Sequence, residues 1–328
     1  MRTIAAQIIG IMLALALSAH AQGYKVDKTW KLGGDGGWDY LTVDSDAHRL
    51  FIARSTRVMV VDTNSGKLLT VIPDTPGVHG VALVPEFGRG FISDGGEDMV
   101  SIFDLKTLRV LNKVKVGTRP DAIVYDPFTK RVFTFNARSH DTTAVDAAKG
   151  DVAGTLALGG KPEYAASDEN GTMWVNIEDT SELVAFDPQK LAVKSRWKLT
   201  GCEEPTGLAF DPKNRRLFAG CSGSKKMAIV DADSGKILAM PAIGEGCDGT
   251  AFDPDGNLAF ASAGDGTITV VREDSPEKFS VVETVTTQKG ARTLALDRKT
   301  HTVFTVTAKL LPERKVEPDT FMVIVVGK

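Results

Sequence analysis

Several features are scarce in this chain of 328 residues, and each scarcity weighs against a class of protein. Lysine and arginine form no cluster and the net charge is −3, which argues against the counterion release that drives nucleic-acid binding. Neither an H-x-H nor an H-E-x-x-H motif is present, so a metal site is the less favoured interpretation. The nucleophile motif G-x-S-x-G is absent as well, which favours a binding protein over a hydrolase. Beyond the N-terminal end, no apolar run reaches the roughly 20 residues of a membrane-spanning helix.

The first residues, 1–21, have the layout of a secretory signal peptide. Arg2 provides the positive charge, an apolar run follows, and an A-x-A cleavage site ends at Ala21. We therefore predict that the mature protein, residues 22–328, is periplasmic or secreted. In that oxidising setting the three cysteines permit one disulfide and leave one thiol.

One position recurs through the chain at intervals of 40 to 44 residues. It ends a short apolar segment, and an aromatic residue follows six or seven positions later, which sets the repeat anchors at Asp44, Val84, Asp126, Asp168, Asp211, Asp253 and Asp297. A second set of aspartates follows its anchors by 18 to 20 residues, at Asp62, Asp104, Asp146, Asp187 and Asp231. We interpret this second set as turn residues whose carboxylates accept hydrogen bonds from nearby backbone N–H groups.

Each repeat contains short segments of alternating apolar residues, separated by Asp-Pro, Ser-Gly or Asp-Gly turns. This pattern predicts an all-β fold, a seven-bladed β-propeller with four-stranded blades, as one domain over residues 22–328. The last repeat supplies only three strands, at 292–297, 302–307 and 321–326, and segment 24–32 provides a spare one. We therefore expect the N-terminal strand to pair with the C-terminal blade and close the ring.

Two turns share a D-x-x-x-G-K pattern, VVDTNSGKL (60–68) and IVDADSGKI (229–237). Together with AGDGTITVV (263–271) and QKGARTLALD (288–297), these segments resemble the YVTN-type, YncE-like family of exported bacterial β-propellers. The tetrad after which the family is named is degraded here, since only FTFN (133–136) retains its final asparagine. The resemblance spans the chain after the signal peptide. It implies the fold, export and a binding face, and leaves the chemistry open because the family is functionally mixed.

In a propeller, the loops that lead into the innermost strands surround the mouth of the central channel. Counting five positions back from each anchor selects seven residues in these lead-in loops, Asp39, His79, Asp121, Glu163, Thr206, Asp248 and Arg292. We call this set the ring. Six of its members are ionisable or good ligands and four are carboxylates, so we predict a polar, acidic binding site, with a solvated funnel as the alternative.

Loops between the second and third strands of each blade open on the same face. They add Asn136, Arg138 and Asn176 as ligand-binding candidates, and further candidates at Arg54, Asp94, His140, Glu178 and Lys309. A divalent cation, Ca²⁺ or Mg²⁺, suits the oxygen-rich part of this set, with Asp39, Glu163 and Asp248 as candidate metal ligands. The candidate catalytic bases of such a site are His79 and His140.

The cysteines and one insertion also lie toward the ring face. Cys202 falls in a lead-in loop and Cys221 ends the second strand of the same blade, so export favours a Cys202–Cys221 disulfide. Cys247 is then the unpaired thiol, or the alternative partner of Cys221. The insertion 308–320 is long enough to cover a site on this face. Three aromatic residues flank the ring and either line a pocket or fill space between blades, Trp38, Tyr40 and Tyr164.

Three functions follow from these features. We favour an exported, monomeric, non-enzymatic binding or scaffold propeller that presents the ring to a small ligand or to a periplasmic or envelope protein. The alternative is a metal-dependent, lactonase-like hydrolase, in which a divalent ion held by the ring polarises a carbonyl and activates water. The family resemblance implies a third function, a nucleic-acid-binding propeller, and the net charge of −3 disfavours it.

Overall fold

The computed structural model describes residues 23–328, and the predicted signal peptide lies outside them. The described part consists of β-strands and two 3₁₀ helices of three residues each, Pro85–Phe87 and Pro312–Arg314. Within it, no helix has the length and apolar character needed to cross a membrane. The predicted all-β class is confirmed.

The strands form seven antiparallel sheets of four strands each within the described residues, which confirms the seven-bladed propeller. The first described strand is β1 (Lys25–Lys31). The first blade consists of β2 (Leu41–Asp44), β3 (Arg49–Arg54), β4 (Arg57–Asp62) and β5 (Leu68–Ile72). The second consists of β6 (Val78–Val84), β7 (Arg89–Asp94), β8 (Met99–Asp104) and β9 (Val110–Lys115). The third consists of β10 (Pro120–Asp126), β11 (Arg131–Asn136), β12 (Asp141–Asp146) and β13 (Val152–Ala157).

The next three blades repeat the same order from the channel outward. The fourth blade consists of β14 (Pro162–Ser167), β15 (Met173–Ile177), β16 (Glu182–Asp187) and β17 (Ala192–Lys198). The fifth consists of β18 (Pro205–Asp211), β19 (Arg216–Cys221), β20 (Lys226–Asp231) and β21 (Ile237–Ala239). The sixth consists of β22 (Cys247–Asp253), β23 (Leu258–Ala263), β24 (Thr267–Ser275) and β25 (Lys278–Thr286). The seventh blade contains β26 (Leu294–Asp297), β27 (Thr302–Thr307) and β28 (Met322–Gly327), and β1 pairs antiparallel with β28 as its outermost strand.

The aspartates that recur after the anchors are turn residues, as predicted. Asp62 Oδ1 accepts hydrogen bonds from the backbone N–H and the hydroxyl of Ser65, each at 2.7 Å. These bonds favour the charged carboxylate, so they hold the pKa of Asp62 below its ordinary value. We call Asp62, Asp104, Asp146, Asp187 and Asp231 the turn series. All five accept such bonds from the backbone of the residue three positions on.

The hydrophobic core lies between adjacent blades. Phe51 of the first blade packs on Phe103 of the second, with ring centroids 5.8 Å apart, inside a cluster of fully buried aliphatic residues. Second and third strands are buried on both faces, as in β11, where all residues after Arg131 are buried. Near the opposite end of the blades, arginines link neighbours: Arg49 Nη1 donates to the carbonyl oxygen of Leu105 at 2.6 Å. The blades are therefore held rigidly enough to fix the loops above them.

The last residue of a second strand holds the lead-in loop of the same blade. Buried Arg54 donates to the carbonyl oxygens of the loop 34–37 at 2.5 to 3.0 Å. Thr307 donates to the carbonyl oxygen of Lys289 at 2.7 Å. Cys221 has the same position and forms a disulfide with Cys202, with the two Cα atoms 5.2 Å apart. The predicted disulfide is confirmed, and Cys247 is a buried free thiol.

Candidate functional site

Each ring residue lies within two positions of the start of an innermost strand. Asp39 and Arg292 precede β2 and β26, and the other five are the second residues of β6, β10, β14, β18 and β22. In each of these five strands the pairing register shifts across the ring residue. Such a β-bulge redirects a side chain away from the ladder, and bulges are common beside functional sites. The bulge explains why ionisable residues are tolerated at the start of an innermost strand.

His79 joins two ring carboxylates. Its Nδ1 lies 2.6 Å from Asp39 Oδ2 and 3.5 Å from Asp121 Oδ1. Burial lowers the pKa of His79, but the hydrogen bond to Asp39 and the charge of Asp121 outweigh burial and raise that pKa above 6.5. Burial also raises the pKa of Asp121 to about 6, against the attraction of His79. The carboxylates of Asp39 and Asp121 therefore favour the protonated form of His79.

Arg292 joins the ring on its other side. Its Nε donates to Asp248 Oδ2 at 2.6 Å, and its Nη2 lies 3.6 Å from Asp39 Oδ1 and donates to the carbonyl oxygen of Trp38 at 3.1 Å. Burial raises the pKa of Asp248, although the guanidinium opposes that shift. Asp39 consequently has a cationic group on either side, His79 and Arg292.

Glu163 pairs with a lysine that the ring register does not include. Lys161 Nζ lies 2.9 Å from Glu163 Oε1 and also contacts the carboxylate of Glu178. Burial and the charge of Asp121 raise the pKa of Glu163 well above its ordinary value. The ring thus carries its own cations, and its four carboxylates do not require a bound metal ion to offset their repulsion.

Two tyrosines that follow ring residues in the sequence meet across the channel. Tyr40 of the first blade and Tyr164 of the fourth lie with ring centroids 5.0 Å apart. First and fourth blades are not neighbours, so this contact spans the channel. Burial, with the charges of the four ring carboxylates, raises the pKa of Tyr40 well above 10. Trp38 has a different role, because it packs on Phe321 at 5.9 Å between the last blade and the first.

A polar cavity of about 230 Å³ opens on the same face beside Asp121. Its lining is Arg119, Asp121, Ala137, Arg138, His140 and Lys161. No ion pair engages Arg119 or Arg138 within residues 23–328. Arg119 adopts φ 57°, in the left-handed region, where three other blades have glycine at the same register, Gly77, Gly246 and Gly290. Glu204 adopts φ 50° at the same register of the fifth blade, so this conformation belongs to the lead-in loop and accepts residues other than glycine.

Several predicted ligand-binding residues are turned into the blades. Asn136 is fully buried, and its Nδ2 donates to Asp141 Oδ1 at 2.6 Å and to Thr143 Oγ1 at 3.0 Å. Asn176 Nδ2 donates to the carbonyl oxygens of Thr206 and Gly207 at 2.9 and 3.0 Å. The Thr206 hydroxyl donates to the carbonyl oxygen of Cys247 at 2.6 Å. These three side chains hold the scaffold under the ring, whereas Arg138 and His140 line the polar cavity.

The further loop candidates divide in the same way. Arg54 binds its own lead-in loop, and its guanidinium lies 3.7 Å from the ring centre of Phe321. Asp94 is fully buried at the end of β7, where Oδ2 accepts from the Ser101 hydroxyl at 2.5 Å. Burial raises the pKa of Asp94 to about 7. Lys309 lies in the insertion and contacts Glu317 Oε2 at 2.7 Å, away from the ring.

One group of ring residues has the geometry of a metal site. Ligand atoms of Asp39, His79 and Asp121 lie within 4.8 Å of one another. Of the predicted metal ligands Asp39, Glu163 and Asp248, only Asp39 belongs to it. One imidazole and two carboxylates suit a transition metal better than Ca²⁺, which prefers six to eight oxygens. A second group is Asp253, Asp255 and His301 in turns at the opposite face, where His301 Nδ1 lies 2.9 Å from buried Asp253.

Sequence reasoning missed two cationic residues of the site, Lys161 and Arg119. Both stand two positions before a ring residue, so a second count at seven positions before each anchor would have selected them. The contact between Tyr40 and Tyr164 had no local signal, because it depends on closure of the ring. The pairing of His79 with carboxylates of the blades before and after it depends on how consecutive blades pack.

Known proteins resemble the chain in sequence over part of its length and in fold over all of it. No family model matches the sequence. An uncharacterized protein YncE from Escherichia coli O157:H7 is 27% identical over 147 residues, which cover 41% of this chain and 41% of that relative. The matched segment therefore spans about two fifths of the relative's length.

Among solved structures, a chain in the crystal structure of the mitotic checkpoint complex has a TM-score of 0.77 at 13% identity and covers 100% of this chain and 99% of that chain. A chain of Kuenenia stuttgartiensis hydrazine synthase has a TM-score of 0.51 at 15% identity and covers 74% of this chain and 97% of that chain. At these identities, the likeness to both structures concerns the fold alone.

The class of protein follows from the blades and their face. The chain is a seven-bladed β-propeller with a ring of ionisable residues at the channel mouth. The partial match to YncE and the seven blades together support the YncE-like β-propeller family for this chain, as the resemblance in its turn motifs predicted.

Proposed function

We propose that this protein is an exported, non-enzymatic binding propeller whose ring face takes a small ligand with an anionic group. The observation that carries the proposal is the polar cavity of about 230 Å³, in which two unpaired guanidiniums and Lys161 surround one raised-pKa carboxylate. Guanidinium groups bind carboxylates and phosphates through paired, charge-assisted hydrogen bonds. The A-x-A segment ending at Ala21 and the Cys202–Cys221 disulfide favour export.

The surroundings of the cavity favour a small ligand. Tyr40 and Tyr164 meet across the channel next to the ring, which narrows the space below the mouth. His79, Arg292 and Lys161 already compensate the ring carboxylates. The ionisable groups that a ligand meets in the ring are therefore already paired and held in place. The donors without an ion-pair partner, Arg119 and Arg138, line the cavity. A ligand that carries both an acidic group and a hydrogen-bond donor fits this combination, with the donor directed at Asp121.

A calorimetric screen tests this proposal. Purified protein is titrated with a panel of small carboxylates, phosphates and amino acids, and each hit is repeated with R119Q/R138Q. The matched control is R109Q/R298Q, which removes two exposed arginines from turns at the opposite face. We expect roughly tenfold or greater weakening in R119Q/R138Q alone, because charge-assisted hydrogen bonds are lost. No saturable binding across the panel, or equal weakening in both variants, would contradict the proposal.

A metal-dependent hydrolase is the second candidate, and the Asp39, His79 and Asp121 group is the observation that favours it. In that function the ion would polarise a carbonyl and activate water, and His79 and the two carboxylates would hold it. The amides of Asn136 and Asn176 are bound within the blades and add no ligands.

Elemental analysis distinguishes the two functions. A stoichiometric metal that D39N removes and D255N retains, together with turnover of lactones, would establish the hydrolase and contradict the binding protein. The D255N variant is the matched control because Asp255 belongs to the other His–Asp group, at the opposite face. Absence of bound metal and of lactone turnover in the presence of Mn²⁺, Zn²⁺, Ca²⁺ or Mg²⁺ would exclude the hydrolase.

A further inference from the structure

A second cavity, of about 600 Å³, lies beside the insertion of the last blade. Its walls come from three parts of the chain: the segment between the sixth and seventh blades, the insertion, and strands β1 and β28. The lining residues are Lys31, Thr287, Gln288, Lys289, Lys309, Leu310, Asp319, Thr320 and Met322. No ring residue belongs to this lining, so the cavity is separate from the site proposed above. We call it the lysine cavity.

The insertion is a folded hairpin, and it forms one stable wall of the lysine cavity. Leu310 and Val316 form an antiparallel bridge, and the backbone N–H of Glu317 donates to the carbonyl oxygen of Lys309 at 2.9 Å. The Thr320 hydroxyl donates to the carbonyl oxygen of Glu317 at 2.7 Å and accepts from the backbone N–H of Lys309 at 3.0 Å. Leu310 and Val316 pack on the core cluster of the first and last blades, so this wall is preformed.

The charge of the lysine cavity is opposite to that of the whole chain. Three lysines face one aspartate, Asp319, in a protein with a net charge of −3. Lys309 pairs with Glu317 at 2.7 Å, whereas neither Lys31 nor Lys289 takes part in an ion pair within residues 23–328. Two ammonium groups are therefore free to bind an anion.

The remaining lining defines what else the ligand must carry. Leu310 and Met322 supply an apolar surface, which the carbon stems of the lysines extend. Thr287 Oγ1 is buried and has no hydrogen-bond partner among the described residues. A buried hydroxyl without a partner is rare, because its desolvation is then uncompensated. Because this hydroxyl is buried, it is not a donor to a ligand in the cavity, and an anionic oxygen would engage the ammonium groups of Lys31 and Lys289.

We infer that the lysine cavity binds an amphipathic organic carboxylate, with the carboxylate on Lys31 and Lys289 and the apolar body on Leu310 and Met322. A volume of about 600 Å³ lies within the usual range of small-molecule sites. A simple inorganic anion would leave the apolar surface exposed, and a neutral lipid would leave the ammonium groups unused. The ligand class therefore follows from the combination of both surfaces.

The experiment uses octanoate below its micellar concentration, octan-1-ol as its neutral counterpart and octylammonium as its cationic counterpart. Calorimetric titration of the wild-type protein is expected to give saturable, one-to-one binding of octanoate, with octan-1-ol weaker by roughly tenfold or more because it lacks the charge. Equal binding of octanoate and octan-1-ol would overturn the inference, as would binding of octylammonium or the absence of saturable octanoate binding.

Variants locate the site. K31Q/K289Q is expected to weaken octanoate roughly tenfold or more, because two charge-assisted contacts are lost. The matched control K149Q/K190Q removes two exposed lysines from turns at the opposite face and should leave the affinity unchanged. Equal affinity in wild type and K31Q/K289Q, or lysine-dependent binding of a hexaglutamate peptide without octanoate binding, would contradict the inference.

Discussion

Carboxylates at the two faces of this propeller behave in opposite ways, although both sets follow the same repeat. The turn series has aspartate in each of its five blades, half-exposed and bound to backbone N–H groups. At the ring face, the position that the ring residues share differs in residue type from blade to blade, and the charged groups there are buried against one another. A residue type repeated in every blade therefore marks a folding requirement. A repeated position at which the residue type varies between blades, while the side chains remain polar, marks the candidate site.

The directions of the pKa shifts give the physical basis of the contrast between the two faces. Hydrogen bonds lower the pKa of Asp62, with desolvation opposing them only weakly. Burial raises the pKa of Asp121 to about 6 and that of Asp94 to about 7. A lowered carboxyl pKa adds stability at neutral pH, whereas a raised one withdraws stability as the pH increases. The scaffold face is thus stabilised by its charges, and the ring face retains charges that oppose folding.

Asp94→Asn should have the largest effect and would sharpen the contrast. The folded-state pKa of Asp94 is raised to about 7, so its contribution to stability is present below about pH 4 and is lost as the pH rises through 7. We expect D94N to be more stable than wild type by roughly 2 to 4 kcal/mol at pH 8 and nearly equal to it at pH 4. Urea unfolding at both pH values measures this difference. Destabilisation of D94N that is larger at pH 8 than at pH 4 would indicate that the carboxylate is needed in its charged form and would contradict the raised pKa.

Removing Arg292 tests whether the ring supplies its own cations. R292M leaves Asp248 and Asp39 without the guanidinium between them, so we expect a loss of about 2 kcal/mol at pH 7. The double variant R292M/D248N should recover part of that loss, because the uncompensated charge is then removed. Arg298, an exposed turn residue, is the control, and R298M should unfold like wild type. A purely additive double variant would contradict the pairing.

Asp231→Ala tests the turn series and should have the smallest effect. Asp231 Oδ1 accepts from the backbone N–H of Ser234 at 2.9 Å and from its hydroxyl at 2.7 Å. Its Oδ2 also accepts from Arg216 Nη1 at 2.6 Å. We expect D231A to lose about 1 kcal/mol or somewhat more at pH 7, where the carboxylate is charged, and progressively less on acidification. Because the pKa of Asp231 is lowered, its contribution is present above about pH 4 and disappears as the pH falls through the folded-state value. A loss that grows on acidification would contradict the turn account.

The scaffold was predictable because its determinants are local and repeated. Anchor aspartates such as Asp126 and turn aspartates such as Asp62 act within three residues of themselves, so their spacing is visible in the sequence. The register of the ring follows from the same spacing. What lies across the channel was not predictable: Tyr40 meets Tyr164 only because seven blades close.

The direction of side chains at strand ends was the other feature that could not be predicted from the sequence. Asn136 and Asn176 were expected to contribute to the ring face, yet both amides point into the blades. Adjacent residues of a strand face opposite sides, and the sequence does not show which side packs on a neighbouring blade. Lys161 and Arg119 stand at a regular position, seven residues before their anchors, but the contacts of their side chains depend on the conformation of the lead-in loops.

Hydrogen exchange with the best-bound member of the small-anion panel tests the central claim most directly, because it compares the two faces in one experiment. The account predicts protection of the lead-in loops around His79, Asp121 and Glu163, with no change in the turns that contain the turn series. Protection confined to the insertion 308–320 would support the lysine cavity and remove the ring as the binding site. Protection of the turns at the opposite face, with none at the ring, would contradict the account.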